Sequence, residues 1–97
     1  NYPVYFEALE SDNIIAADDA QTDAQTHEFT VNYLTPLGIT SMLDVPIRVA
    51  GETIGVICHE HIGLPRSWAL EEQNFASYLA YMASLAIESR DRAQAEK

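Results

Sequence analysis

From Ser41 to Val49 the chain alternates, with Leu43, Val45, Ile47 and Val49 on one side and Met42, Asp44, Pro46 and Arg48 on the other. A period of two is the mark of a half-buried strand. Residues 52–60, Glu-Thr-Ile-Gly-Val-Ile-Cys-His-Glu, read as its neighbour, and Ala50-Gly51 between them suits a two-residue hairpin turn. Pairing Val49 with Glu52 carries the register onward: Leu43, Val45 and Ile47 face Cys58, Val56 and Ile54, an apolar face suited to a helix. On the other face Met42, Asp44, Pro46 and Arg48 meet His59, Ile57, Gly55 and Thr53. That face is mixed and reads either as the lining of a small-molecule pocket or as a solvent-exposed sheet surface.

Helical spacing flanks the hairpin. Pro3 suits the first turn of a helix through Glu10 on which Tyr5, Phe6 and Leu9 share a side. After the turn Ser11-Asp12-Asn13, the run Ile14-Ile15-Ala16-Ala17 reads as a short strand. Asp23 suits the N-cap of a second helix carrying Phe29, Tyr33 and Leu34, which should stop near Leu34 because Pro36 disfavours a helical Thr35 and Gly38 follows. That helix is placed as a roof over the mixed face. Ser67 is a possible N-cap for a long helix with Glu71 and Glu72 at its positive end. Along it Phe75, Leu79, Met82, Ala86, Ser89 and Ala93 form a seam beside Tyr78, Tyr81 and Leu85. Past Leu85 charges take over, so 88–97 reads as the start of a signalling helix leaving the domain.

The length of 97 residues allows one domain, and 47% apolar residues exclude a disordered tail. No apolar run approaches the roughly 20 residues of a membrane span, and Asn1-Tyr2-Pro3 does not open a signal peptide, so a cytoplasmic protein without membrane contact is expected. Fifteen acids against five bases give a net charge of -10. No Lys or Arg precedes Arg48, whereas Glu7, Glu10, Asp12, Asp18, Asp19, Asp23, Glu28 and Asp44 do. Such a surface repels nucleic acid and anionic lipid, and it argues against an anionic ligand under the roofing helix.

Candidate chemistry is sparse. Cys58-His59-Glu60-His61 offers metal-ligand types, but on a strand Cys58 and Glu60 point one way and His59 and His61 the other. Asp18, Asp19 and Asp23 suit turns and caps more simply than a cation site. The lone Cys58 excludes an internal disulfide and lacks the positive surroundings of a reactive thiolate. No serine sits in a nucleophile elbow and no glycine loop would hold phosphate. Nothing in the chain demands an enzyme.

Taken in order, Tyr2-Pro3-x-Tyr5-Phe6-x-x-Leu9, Ile15-x-x-Asp18-Asp19-Ala20, the run from Tyr33-Leu34 through Gly38-Ile39-x-Ser41-Met42-Leu43-Asp44-Val45-Pro46-Ile47, Gly51-x-x-x-Gly55-Val56 and Trp68-x-x-Glu71-x-x-Phe75 resemble the GAF domain family of small-molecule sensors. The likeness is nearest to GAF modules of bacterial sensor histidine kinases, where a Cys-His-Glu-His strand end also occurs. It implies an α+β, profilin-like fold: an antiparallel sheet with a long C-terminal helix on one face and a short helix over the other. It also implies that the chain is the C-terminal two-thirds of such a domain, lacking an N-terminal helix and first strands. A homodimer or strand exchange would then cover the open strand and helix.

Cyclic-nucleotide, methionine-sulfoxide reductase and bilin-attachment patterns of the family do not fit, the last because Cys58-His59 stands in a different context. The expectation is a regulatory domain of a two-component signalling protein binding an unidentified small molecule through Phe29, Tyr33, Met42, Asp44, Ile57 and His59, with no cofactor named. The alternative is a ligand-free dimerisation module. A filled face over Met42, Asp44 and His59 would favour the alternative.

Overall fold

The computed structural model describes residues 2–11 and 14–95. Asp12 and Asn13 of the expected first turn, and Glu96 and Lys97 at the end of the 88–97 segment, lie outside the described residues. In chain order come α1 (Pro3–Ser11), β1 (Ile15–Ala17), a 3-10 turn (His27–Phe29), a π-helical turn (Thr30–Leu34), α2 (Thr35–Leu37), β2 (Ile39–Val49), β3 (Glu52–Ile62) and α3 (Leu70–Ala95). The strands make an antiparallel sheet in the order β1-β2-β3. α3 covers one face, while α1 and the irregular segment 27–37 cover the other.

The hairpin turn forms where the sequence places it. Ala50 and Gly51 both take positive φ, 52° and 82°, which matches the right-handed twist of the flanking strands. Beyond the turn the register slips. Val49 pairs with Glu52 and Arg48 with Thr53, but Ile47 pairs with Gly55, leaving Ile54 as an extra residue on β3. From there Val45 faces Ile57, Asp44 faces Cys58, Leu43 faces His59 and Met42 faces Glu60. A one-residue slip moves every later side chain of β3 to the opposite face. Val56 and Cys58 therefore leave the α3 side, and Ile57 and His59 arrive on it, which reverses the expected facing pairs. A second irregularity near Thr40 sets Ile39 opposite Ile62.

The segment expected as one helix from Asp23 to Leu34 is instead a chain of short turns. Asp23 Oδ1 accepts from the Gln25 N–H at 2.8 Å, an Asx turn rather than a helix cap. Thr26 and Thr30 then bond backbone carbonyls, Thr26 Oγ1 to Ala20 O at 2.7 Å and Thr30 Oγ1 to Gln21 O at 3.1 Å, competing with regular helix geometry. Thr35 is helical after all, because Pro36 sits in the first turn of α2 where its missing N–H costs nothing. Gly38, at φ 73°, ends it and donates to Thr35 O.

α3 starts at Leu70 rather than at Ser67, and Glu72 reaches back to accept the Ala69 N–H at 2.9 Å while pairing with Arg66. The side of α3 that meets the sheet is neither the Phe75–Met82 seam nor the Tyr78–Leu85 stripe. Ala76 and Ala80 are buried against Leu43 and Val45, with Ile47, Ile57 and Trp68 around them. Phe75, Tyr78, Tyr81, Met82 and Leu85 are exposed. The apolar arc of α3 is wide enough for either stripe, and the sheet takes the small one because it allows the closer approach. Trp68 pins the loop before α3 to β1 through Nε1 donating to Ala17 O at 3.2 Å.

The turn gives the first test. Ala50 holds a left-handed φ that favours Asn or Gly, so Ala50→Asn should stabilise the chain by about 1 kcal/mol and raise its thermal midpoint by roughly 4–8 °C. An unchanged or lower midpoint by circular dichroism would show that the turn is not formed this way.

Candidate functional site

The site is built where β2 and β3 turn their slipped register toward α1. Asp44 is fully buried on that face, between Ile15 of β1 and Cys58 of β3. The Tyr5 hydroxyl of α1 donates to Asp44 Oδ2 at 2.5 Å. Two residues along, the Tyr33 hydroxyl of the π turn donates to Glu60 Oε2 at 2.5 Å. α1 is held in place at three points: the Tyr5 N–H on Glu28 Oε1 at 2.9 Å, the Tyr5 hydroxyl on Asp44, and Leu9 O accepting from the Arg48 guanidinium. Aromatic rings close the space between them, with centroids 4.7 Å apart for Tyr5 and Phe29, 4.2 Å for Tyr2 and Phe29 and 6.2 Å for Phe29 and Tyr33.

Of the six residues expected to bind a ligand, Phe29, Tyr33, Met42 and Asp44 come together on this face. Ile57 and His59 do not. Ile57 packs beneath α3, and His59, with Nδ1 3.3 Å from Leu43 O, lines a different, open groove of about 320 Å³ with Leu43, Trp68, Glu71, Glu72 and Phe75. The register slip at Ile54 moves them, and the same slip delivers Cys58 and Glu60 instead. Tyr5 was also missed. Its spacing with Leu9 marks an apolar face but carries no sign of a partner 39 residues away. Above Met42 the face is filled by Ala17, Leu34 and Ile39 with Phe29 and Tyr33 against them.

The electrostatics centre on Asp44. Its Oδ1 is buried and has no hydrogen-bond partner among the described residues. Burial pushes its carboxyl up from 3.8 to about 6, and the Glu60 charge adds to this, against the Tyr5 hydrogen bond, the Cys58 thiol and the His59 charge, which lower it. Partial burial and the carboxylates of Asp44 and Glu60 push the Cys58 thiol up to about 12. The hydrogen bond to Glu60 holds Tyr33 at about 12, and burial with the Asp44 bond raises Tyr5 further still. Cys58, Tyr33 and Tyr5 keep their protons at neutral pH. Among the described residues no three His, Cys, Asp or Glu side chains gather as a metal would require.

The sequence profile of the GAF domain matches residues 2–87. The chain belongs to the GAF domain family. Members of that family are sensory and regulatory modules, generally without catalysis of their own. Its fold is that of solved GAF domains. The blue-light absorbing form of the PixJ GAF domain from Thermosynechococcus elongatus is 28% identical, with a TM-score of 0.78 over 93% of this chain and 53% of that one. The cyanobacteriochrome TePixJ GAF domain is 29% identical, with a TM-score of 0.74 over 88% of this chain and 52% of that one. The photoproduct state of GAF3 from Slr1393 of Synechocystis sp. PCC6803, at 21% identity and a TM-score of 0.73, shares the fold, covering 92% of this chain and 56% of that one. The chain thus spans about half the length of these GAF domains. No curated protein matches it. No helix among the described residues is long and apolar enough to cross a membrane.

Asp44 makes the stability of this GAF chain depend on pH. A carboxyl whose folded pKa lies above its unfolded value favours folding when protonated, so the stabilisation is complete below about 3.8 and lost as pH rises through about 6. Acidifying from about pH 7 to about pH 5 should therefore stabilise the chain by about 1 kcal/mol in urea titrations. Asp44→Asn should flatten that slope. A wild-type slope retained in the Asn variant would place the titrating group elsewhere.

Proposed function

We propose that this GAF chain is the sensing part of a signal-transduction protein of the histidine-kinase type, a regulatory rather than catalytic domain. It holds a small molecule at the edge of the Tyr5, Tyr33, Asp44 and Glu60 face and passes the change to an output domain along α3. The observation that carries this reading is the buried Asp44 oxygen with no partner. A buried, ionisable acceptor left unmade is destabilising by about 1–3 kcal/mol or more, and such groups are kept at sites that bind. GAF membership adds the sensory role. The Cys-His-Glu-His strand end, shared by resemblance with kinase GAF modules, supplies the histidine-kinase context and with it a cytoplasmic setting.

Light absorption, as in the PixJ domains, does not transfer through Cys58. Burial and two carboxylates push the Cys58 thiol up to about 12, which disfavours the thiolate that covalent attachment of a chromophore would need. The unit 1–97 acts as one domain, with the charged end of α3, from Glu88 onward, as the start of the signalling helix.

A second reading has its own support. The face above Met42 is filled, and Phe75, Tyr78, Tyr81, Met82 and Leu85 form an exposed apolar stripe along α3, 40–61% accessible. Stripes of that kind pair with another helix, as in a homodimer working without ligand.

Native mass spectrometry separates the two. The sensory reading expects a co-purifying small molecule that is lost in Asp44→Asn. A bare dimer mass, converted to monomer by Tyr78→Glu with Leu85→Glu and carrying no adduct, would replace it with the dimerisation reading.

A further inference from the structure

We infer that the molecule bound on this face is an organic cation, held through an ammonium, amidinium or protonated ring nitrogen between Asp44 and Glu60; this rests on the sensory reading above. The hydrogen-bond inventory leads there. Tyr5 and Tyr33 each spend their single O–H on a carboxylate, Asp44 Oδ2 and Glu60 Oε2. What the two carboxylates have left to offer is acceptor capacity only, and the unfilled Oδ1 of Asp44 is fully buried. A ligand must therefore bring donors.

Charge makes those donors positive. Asp44 and Glu60 share one face, on neighbouring cross-strand pairs of the same parity. The described arginines are engaged elsewhere: Arg48 with Thr53 and Leu9, Arg66 with Glu72, Arg90 with Asp91 and Arg92 with Glu88. His59 lies on the opposite face, in the groove beside α3. Two carboxylates on one face repel each other and any anion, and a protonated nitrogen between them relieves both effects. The rings of Tyr5, Phe29 and Tyr33 complete the fit, since a cation is drawn to an aromatic face within roughly 6 Å.

Access is from the Cys58 side. Cys58 pairs with Asp44 across the strands, its residue is exposed, and Glu60 beyond it is exposed too, so a ligand reaches Glu60 along β3, and the buried Asp44 only past the Cys58 side chain, rather than through the filled space above Met42. The site accordingly suits a small cationic head with an aromatic or aliphatic body lying over Tyr33 and Phe29. It does not suit a phosphate or a carboxylate.

The test uses three matched probes on the 97-residue chain: phenethylamine, neutral 2-phenylethanol and anionic phenylacetate, followed by amide chemical shifts. Phenethylamine should shift the amides of residues 42–44 and 58–60 with a Kd below about 10 mM, and the other two should bind at least about tenfold more weakly. Asp44→Asn and the exposed-site variant Glu60→Gln should each weaken phenethylamine about tenfold or more. Equal binding of the three probes, no shift by phenethylamine at about 10 mM, or unchanged affinity in both variants would overturn the inference. Failure here is distinct from failure of the sensory reading: a co-purified molecule that is neutral or anionic overturns the cation alone, whereas a bare dimer overturns both.

Discussion

Side chains on a strand alternate between faces, so one unpaired residue in a hairpin decides what each face of a sheet can do. In this chain that residue is Ile54. Its bulge lies two residues past the turn, and from there outward β3 presents Val56, Cys58 and Glu60 to α1 and Gly55, Ile57 and His59 to α3. The core beneath α3 needs Ile57 to complete the layer of Leu43, Val45, Ala76 and Ala80. The opposite face needs Val56 to pack on Tyr5, Leu9 and Ile15. With the bulge absent, Ile57 and His59 would sit under Tyr5 and Cys58 under α3, and Asp44 would face an aliphatic side chain instead of the thiol and Glu60. The bulge thus sets the packing of both layers and the composition of the acidic site together.

Asp44 is the second constraint, and it works by being incompletely satisfied. One oxygen holds α1 through Tyr5, which with the Arg48–Leu9 contact and Glu28 docks a nine-residue helix on the sheet. The other oxygen has no hydrogen-bond partner among the described residues and is fully buried. Desolvation outweighs the Tyr5 bond, which is why the carboxyl titrates near neutrality rather than in the usual acid range. Packing alone would be served better by an apolar side chain at this position. A carboxylate under a tyrosine and beside a second Tyr–Glu pair is a chemical feature, and it is the part of the structure that distinguishes this face from an ordinary core.

The strands, the hairpin turn and the two long helices were legible because each rests on a local pattern. The alternation of β2 has one apolar parity, and Ala50-Gly51 is short enough to leave a single turn geometry. The slip was not legible because β3 from Thr53 to Ile57 is apolar or small at almost every position, so either parity fills a core. Phe29, Tyr33, Met42 and Asp44 share a face because Met42 and Asp44 follow from the parity of β2 and the bulge disturbs none of the four. Ile57 and His59 fall on the other face, and Cys58 and Glu60 on this one, through that single residue. Tyr5 had no local signal at all, since its role is set by tertiary contact with β2. Which side of α3 packs on the sheet was not legible for a related reason: its apolar arc is wide, and the choice is decided by how closely the sheet can be approached.

On the sensory reading proposed above, an event at Asp44 would act on the long helix through packing alone. Leu43 and Val45 flank Asp44 in the chain and point the other way, onto Ala76 and Ala80. These are close contacts between small helix residues and branched strand residues, with little slack to absorb a shift of β2. Further along, the Ser84 hydroxyl donates to Arg48 O at 2.5 Å, and the same Arg48 side chain holds Leu9 of α1. A displacement of α1 or of β2 at the acidic face is therefore felt by α3 at two levels one to two turns apart, which favours rotation or sliding of the helix over local bending. The size of that response is bounded by how much better a ligand binds one arrangement than the other. A buried carboxylate with one oxygen unpaired among the described residues offers a difference of that kind to a ligand that brings a donor.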